Sequence, residues 1–197
     1  MSRQRDPKIT NILDVPAYGR ALDRLRDGSG LDARKHAERL IAKGDSHGHA
    51  LLGAIYELGA SDLKPDAEKA LHNYTMAVEL GGSVEAALGY ARIKYLGKTG
   101  VQDIPEALRV YEKMAEFDNR IGHYMCAKIV LDQSPSPEQV VFARHHAKAA
   151  LTLGLLRAKE LLATAAAKEG RLLPALRWSL SALLDRLRSR GTADRTI

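Results

Sequence analysis

Only one cysteine, Cys126, and 5% aromatic residues occur in this 197-residue chain. A single thiol excludes an intramolecular disulfide framework and any metal cage of several thiolates, and it fits a reducing compartment. Long apolar runs are missing as well. The stretch ALTLGLL from Ala150 is far shorter than the roughly 20 residues that cross a bilayer, so no membrane insertion is expected. The N-terminus, MSRQRDPKIT, is charged and lacks the apolar run of a secretory signal, which points to a cytoplasmic protein. No stretch alternates apolar and polar residues long enough to argue for a strand.

What the chain has in quantity is Ala, Leu, Lys, Arg and Glu, the composition of helices. Slid against itself, the sequence matches at lags close to 36 residues. Ala70, Tyr74 and Ala77 recur as Ala107, Tyr111 and Met114, then as Ala143, Ala147 and Ala150, always at spacings that put the three on one helical face. A small residue recurs as Gly53, Gly89, Ala127 and Ala163, preceded by Leu52, Leu88, Cys126 and Leu162. Small side chains there let a neighbouring helix approach, and the preceding position supplies core volume. Gly44, Gly81 and Gly154 follow the last apolar turn of a helix, and Pro65, Pro105, Pro137 and Pro174 stand at helix starts, where a missing N–H costs little.

This punctuation predicts helices over 15–27 and 31–43 as an opening pair, 48–59 with 65–80, 84–97 with 104–117, 121–132 with 137–153, and 156–169 with 172–188. Hairpins of this size cannot bury their apolar faces alone, so they stack. The expected fold is all-α, an α-solenoid of four to five helix-turn-helix repeats. The expected organisation is an N-terminal arm over 1–14 and one repeat domain over 15–185, with the opening pair at 15–43 and units at about 48–81, 84–118, 121–154 and 156–185. A basic flexible tail over 186–197 completes it.

The segments LGAIYELG, KALHNYTMAVELG and YLGKTGVQDIPEALRVYEKMAE resemble Sel-one-like repeats, relatives of the tetratricopeptide repeats. Leu52, Gly53, Tyr56 and Gly59 fit the first part of that pattern, and Gly100, Val101, Asp103, Ala107, Tyr111 and Lys113 fit the second. The third unit keeps Lys148, Ala149 and Ala150 with a replaced loop, and the fourth keeps Ala175 and Trp178 with the loop nearly deleted. The resemblance implies a right-handed superhelix whose concave face, lined by the first helices, binds other proteins. It further implies an adaptor or scaffold of the kind found in signalling, assembly or toxin–immunity complexes.

Chemistry is harder to find. The pairs His47 with His49 and His145 with His146 lack a Cys or carboxylate at ligand spacing, so no metal is expected. Cys126 falls in the column of Leu52 and reads as a buried structural thiol rather than a nucleophile. GKTG lacks the first glycine of a phosphate loop, and no preceding strand is present. No catalytic residue, enzymatic activity or cofactor is expected. The position four before the small residue gives His49, Glu85, His123 and Lys159, with Tyr56 and Arg92 one turn onward; in a solenoid these line up as a candidate partner-binding row.

Charge supplies the alternative. Net charge is +6, and residues 144–197 hold 11 Lys or Arg against 4 Asp or Glu. That asymmetry admits a nucleic-acid-binding regulator, with Arg186, Arg188 and Arg190 aligned on one side of an extended arm to touch phosphates.

Overall fold

The computed structural model describes residues 29–81 and 83–193, with side chains through Ser189. The expected arm 1–14, the helix 15–27, residues 194–197 and the Arg190 side chain lie outside the described residues. Nine helices occupy the described residues: α1 (Gly30–Ala42), α2 (His47–Leu58), α3 (Ala67–Glu79), α4 (Val84–Leu96), α5 (Ile104–Ala115), α6 (Arg120–Leu131), α7 (Pro137–Thr152), α8 (Ala158–Lys168) and α9 (Leu172–Ala193).

Local chemistry sets their ends. Asp66 caps α3 by accepting from the Lys69 N–H, so Pro65 lies just outside and the helix starts two residues later than its proline suggests. Ser83 caps α4 and Asn119 caps α6, while Ser136 and Gln139 form a reciprocal capping box at α7 with Pro137 as its first residue. Gly44 and Gly154 take left-handed φ of 77° and 88° just past α1 and α7, conformations an L side chain resists. Two loops repeat the same closure: the Asp66 N–H donates to the Tyr56 carbonyl at 2.7 Å, and the Asp103 N–H to the Lys94 carbonyl at 3.0 Å. Asp62, in the first of these loops, reaches back to accept from the N–H groups of Gly30 and Leu31 at the start of α1.

Contacts group the chain into two compact units that meet in sequence within α5, one through Ala107 and one from Leu108. In the first, α1 to α4 surround a core of Leu51, Ile55, Tyr74 and Ile93 with several fully buried alanines. Tyr74 lies between α2 and α4, against Gly53 on one side and Gly89 on the other. In the second, Val130, Leu131, Val140, Leu161 and Leu162 enclose Ala127, Ala143, Ala147 and Ala165, with Trp178 packed at the margin. Each three-residue column read from the lag is buried: Ala70, Tyr74, Ala77; Ala107, Tyr111, Met114; Ala143, Ala147, Ala150. In the Leu52 column, Leu52, Cys126 and Leu162 are buried, but Leu88 is half-buried.

One element runs on. The α9 helix continues to Ala193, five residues beyond the 172–188 expected for it and into the basic tail expected over 186–197. The segment SALLDRLRSR contains no Pro or Gly to stop it, and leucine and arginine both favour helix.

Candidate functional site

The row read from the sequence starts on the first helix of each hairpin, and three of its four anchors turn to the second helix of the same hairpin. His49 Nδ1 donates to Asn73 Oδ1 at 3.2 Å, from α2 to α3. His123 on α6 meets His146 on α7, with the two Nδ1 atoms 2.9 Å apart, one donating and the other accepting. Lys159 on α8 donates to Asp185 on α9 at 2.6 Å, both side chains less than a quarter exposed. These contacts join residues 23 to 26 apart and act first as ties within a repeat. Glu85 is half-buried on α4. Tyr56 is half-buried, with the Lys69 ammonium 5.6 Å from its ring centroid.

Arg92 leads to a group that sequence reasoning missed. The Glu57 carboxylate, its side chain 3% exposed, receives a two-pronged contact from Arg92, a bond from Lys98 Nζ at 2.9 Å and one from the Tyr74 hydroxyl at 2.9 Å. Burial alone would raise its pKa, but the hydrogen bonds and charge of Arg92, followed by the bonds from Lys98 and Tyr74, hold it down at about 2. The carboxylate is thus ionised and joins α2, α3, α4 and the loop after α4. A glutamate at position 92 would face the Glu57 carboxylate directly.

The histidine cluster is compact and apolar. His146 packs 4.3 Å from the Phe142 ring, and His145 stands edge-on to it. Desolvation first, then the neighbouring His123 and His145, push His146 down to about 4; desolvation likewise lowers His123 against the pull of Asp118. Both rings are therefore neutral near pH 7. Among the described residues no group of three or more His, Cys, Asp or Glu is placed to hold a metal ion. Cys126 is fully buried, and burial pushes its thiol up to about 12, so it carries no thiolate at neutral pH.

At the C-terminal end the helix rearranges the expected arginine arm. Residues two apart on a helix are separated by roughly 200° of arc, so Arg186 and Arg188 point away from one another instead of lining one side. Arg186 is paired with Glu160 of α8. What the spacing of charges hid is a run of leucines on the same helix: Leu173, Leu176, Leu180, Leu183 and Leu187, at alternating steps of three and four, are 50% to 80% exposed. That spacing is the signal by which the sequence shows it.

Helical hairpins stacked through buried small-residue columns define an all-α helical-repeat protein with a solenoid fold. The same fold occurs in a Sel1 repeat protein from Oxalobacter formigenes, 22% identical with a TM-score of 0.62 over 87% of this chain and 73% of that one. It occurs again in a protective antigen present in uropathogenic Escherichia coli strains and displaying an SLR fold, 20% identical with a TM-score of 0.68 over 86% of this chain. The chain spans 38% of that antigen's length. The structural likeness agrees with the Sel-one-like pattern read from the residues. No family model matches the sequence, and no curated protein does. Among the described residues no helix is long and apolar enough to cross a membrane.

Proposed function

We propose that the chain is a non-enzymatic protein–protein interaction module, an adaptor or scaffold that takes a protein or peptide along the first-helix row of His49, Tyr56, Glu85, Arg92, His123 and Lys159. One observation carries this reading: polar groups of the row are fixed by neighbours while part of their surface stays open. Arg92 is clamped by Glu57 and remains 46% exposed. Tyr56, the position before that carboxylate, is held under Lys69 and is half-buried. Side chains set before a partner arrives save about 0.5–1.5 kcal/mol each of the ordering that binding otherwise requires. The Sel1-like fold supports the reading, since stacked repeats present long surfaces suited to extended partners. It involves no cofactor.

The test is affinity capture of the tagged protein from a lysate of its native cell, with and without nuclease, comparing the wild type with Tyr56→Ala. Capture of defined proteins that survives nuclease and is lost with Tyr56→Ala, while the variant keeps the helical circular-dichroism spectrum of the wild type at the capture temperature, is the expected result. Unchanged capture by Tyr56→Ala refutes this choice of surface. Material lost on nuclease treatment refutes the adaptor reading in favour of a polyanion held by the basic C-terminal third.

A further inference from the structure

Helices α7 and α9 both belong to the second unit, and between them, over α8, lies a cleft of about 460 Å³. Its floor is apolar: Leu162 and Ala166, both buried on α8, with Pro174 and Trp178 of α9. The rest of its wall is cationic. Arg144 and Lys148 stand one turn apart on α7, Arg171 immediately precedes α9, and Arg177 follows on α9 itself.

Two of these cations are held in place and two are free. Glu169, 16% exposed and not part of the lining, accepts from Arg144 Nε at 2.7 Å on one carboxylate oxygen and from Arg171 at 3.4 Å on the other. One carboxylate thus sets guanidinium groups from α7 and from the α8–α9 turn, and each fork keeps further N–H donors to offer. Lys148 and Arg177 are exposed and have no ion pair among the described residues. Four cations against one carboxylate leave a threefold positive charge around the cleft. Trp178 is half-buried against the core that contains Leu162, and among the described residues no other ring and no cation covers its own ring.

These features ask for a ligand in two parts. A monocarboxylate would leave most of the positive charge unmatched, whereas a phosphomonoester brings about 1.5–2 negative charges and a diphosphate about one more. An open indole above an apolar floor takes a flat ring, and nucleobases stack on such a face whatever their identity. The volume falls in the range of about 300–1,000 Å³ that small-ligand sites occupy. From the threefold charge, the prearranged arginines and the open tryptophan, we infer that this cleft binds a nucleoside diphosphate or triphosphate. Its base lies on Trp178, and its phosphates sit among Arg144, Lys148, Arg171 and Arg177. None of the lining residues belongs to the first-helix row, so the inference stands or falls separately from that surface.

Trp178 is the only tryptophan in the chain, so its emission reports on this cleft alone. The full chain is titrated with ADP without divalent cations, excited beyond the absorption of adenine. Saturable quenching is expected, with affinity that falls as salt rises, and adenosine and pyrophosphate should each bind at least tenfold more weakly. Lys148→Glu with Arg177→Glu should weaken ADP at least tenfold at an unchanged circular-dichroism spectrum. Lys113→Glu with Arg120→Glu, exposed cations outside the cleft that change the net charge equally, should leave the affinity within twofold. Followed by calorimetry, Trp178→Leu should bring ADP down to the affinity of pyrophosphate. No saturable quenching by ADP, pyrophosphate bound as tightly as ADP by the wild type, or equal losses from the two charge reversals overturns the inference. So does binding of a single-stranded oligonucleotide or of a phosphotyrosine peptide to a chain that does not bind ADP, since the cleft then has another occupant.

Discussion

Replacing Gly89 with alanine sets two known effects against one another. In a helix interior, Gly to Ala is worth about 1 kcal/mol in favour of folding through backbone entropy. Against that, an added Cβ would stand 2.3 Å from Tyr74 Cζ and 2.5 Å from Cε2, where ordinary carbon contacts lie at about 3.5–4.0 Å. The ring has nowhere to retreat. Its opposite side rests on Gly53, where a Cβ would be 2.5 Å away, and its hydroxyl is anchored to Glu57 at 2.9 Å. Overpacking a full core position costs about 1–3 kcal/mol and more where the neighbour is pinned, so the net loss should be about 2 kcal/mol. At about 2–4 °C per kcal/mol for a chain of this size, the melting midpoint should fall by about 4–8 °C, read by circular dichroism at 222 nm. The sharper readout is a cycle with Tyr74→Ala, which is itself destabilising. With the ring gone, Gly89→Ala should become neutral or stabilising by up to about 1 kcal/mol, giving an interaction energy of about 2–3 kcal/mol. A midpoint unchanged or raised by Gly89→Ala in the wild type, or a penalty that persists without Tyr74, would refute the claim that the ring dictates glycine there.

Three further outcomes follow from the charged and histidine sites. Arg92→Ala should cost about 1–3 kcal/mol in urea denaturation by withdrawing two donors from a buried carboxylate, whereas a merely solvated arginine would cost nothing measurable. Because Glu57 is held at about 2, the unfolded carboxyl takes a proton first, near its ordinary 4.5; stability is whole above about 4.5 and is lost as pH falls toward 2, and Glu57→Gln should flatten that limb. His146, pushed down to about 4, gives a separate window: the unfolded ring protonates first, so stability is full above about 6.5 and declines toward 4, by about 1–2 kcal/mol after allowance for its partial exposure. His146→Phe should remove most of that slope, and an unchanged profile would contradict the placement of the ring. Cys126 should resist a thiol-reactive disulfide reagent at pH 8 until denaturant is added; fast labelling of the folded protein would show that it is not buried.

The helices were legible because periodicity and caps agree locally: Asp66, Ser83, Asn119 and Ser136 all stand where the apolar pattern begins. The buried columns were legible because three spaced residues recur together at one lag. What could not be read locally were contacts a full repeat apart. Glu57 meets Arg92 and Lys98 across 35 and 41 residues, and only a search for opposite charges separated by about one repeat would have paired them. The polar row falls on the first helix of each hairpin, but the residues it faces, Asn73, His146 and Asp185, depend on which way each side chain turns between packed helices. The end of α9 fell five residues short for another reason: arginines two apart fit an extended arm as well as a helix, and the leucines leading up to them, Leu180, Leu183, Leu184 and Leu187, carry the stronger pattern.

The twin loop closures, Asp66 to Tyr56 and Asp103 to Lys94, bear on how such a chain changes length. Both loops end in the same Asp cap, so a DNA segment cut at these two points encodes one whole helix pair whose ends match each other. Unequal recombination there inserts or deletes a hairpin without inventing a new turn. The reading frame of the architecture is written in its loops, and growth by duplication leaves every surviving joint in a form that already folds.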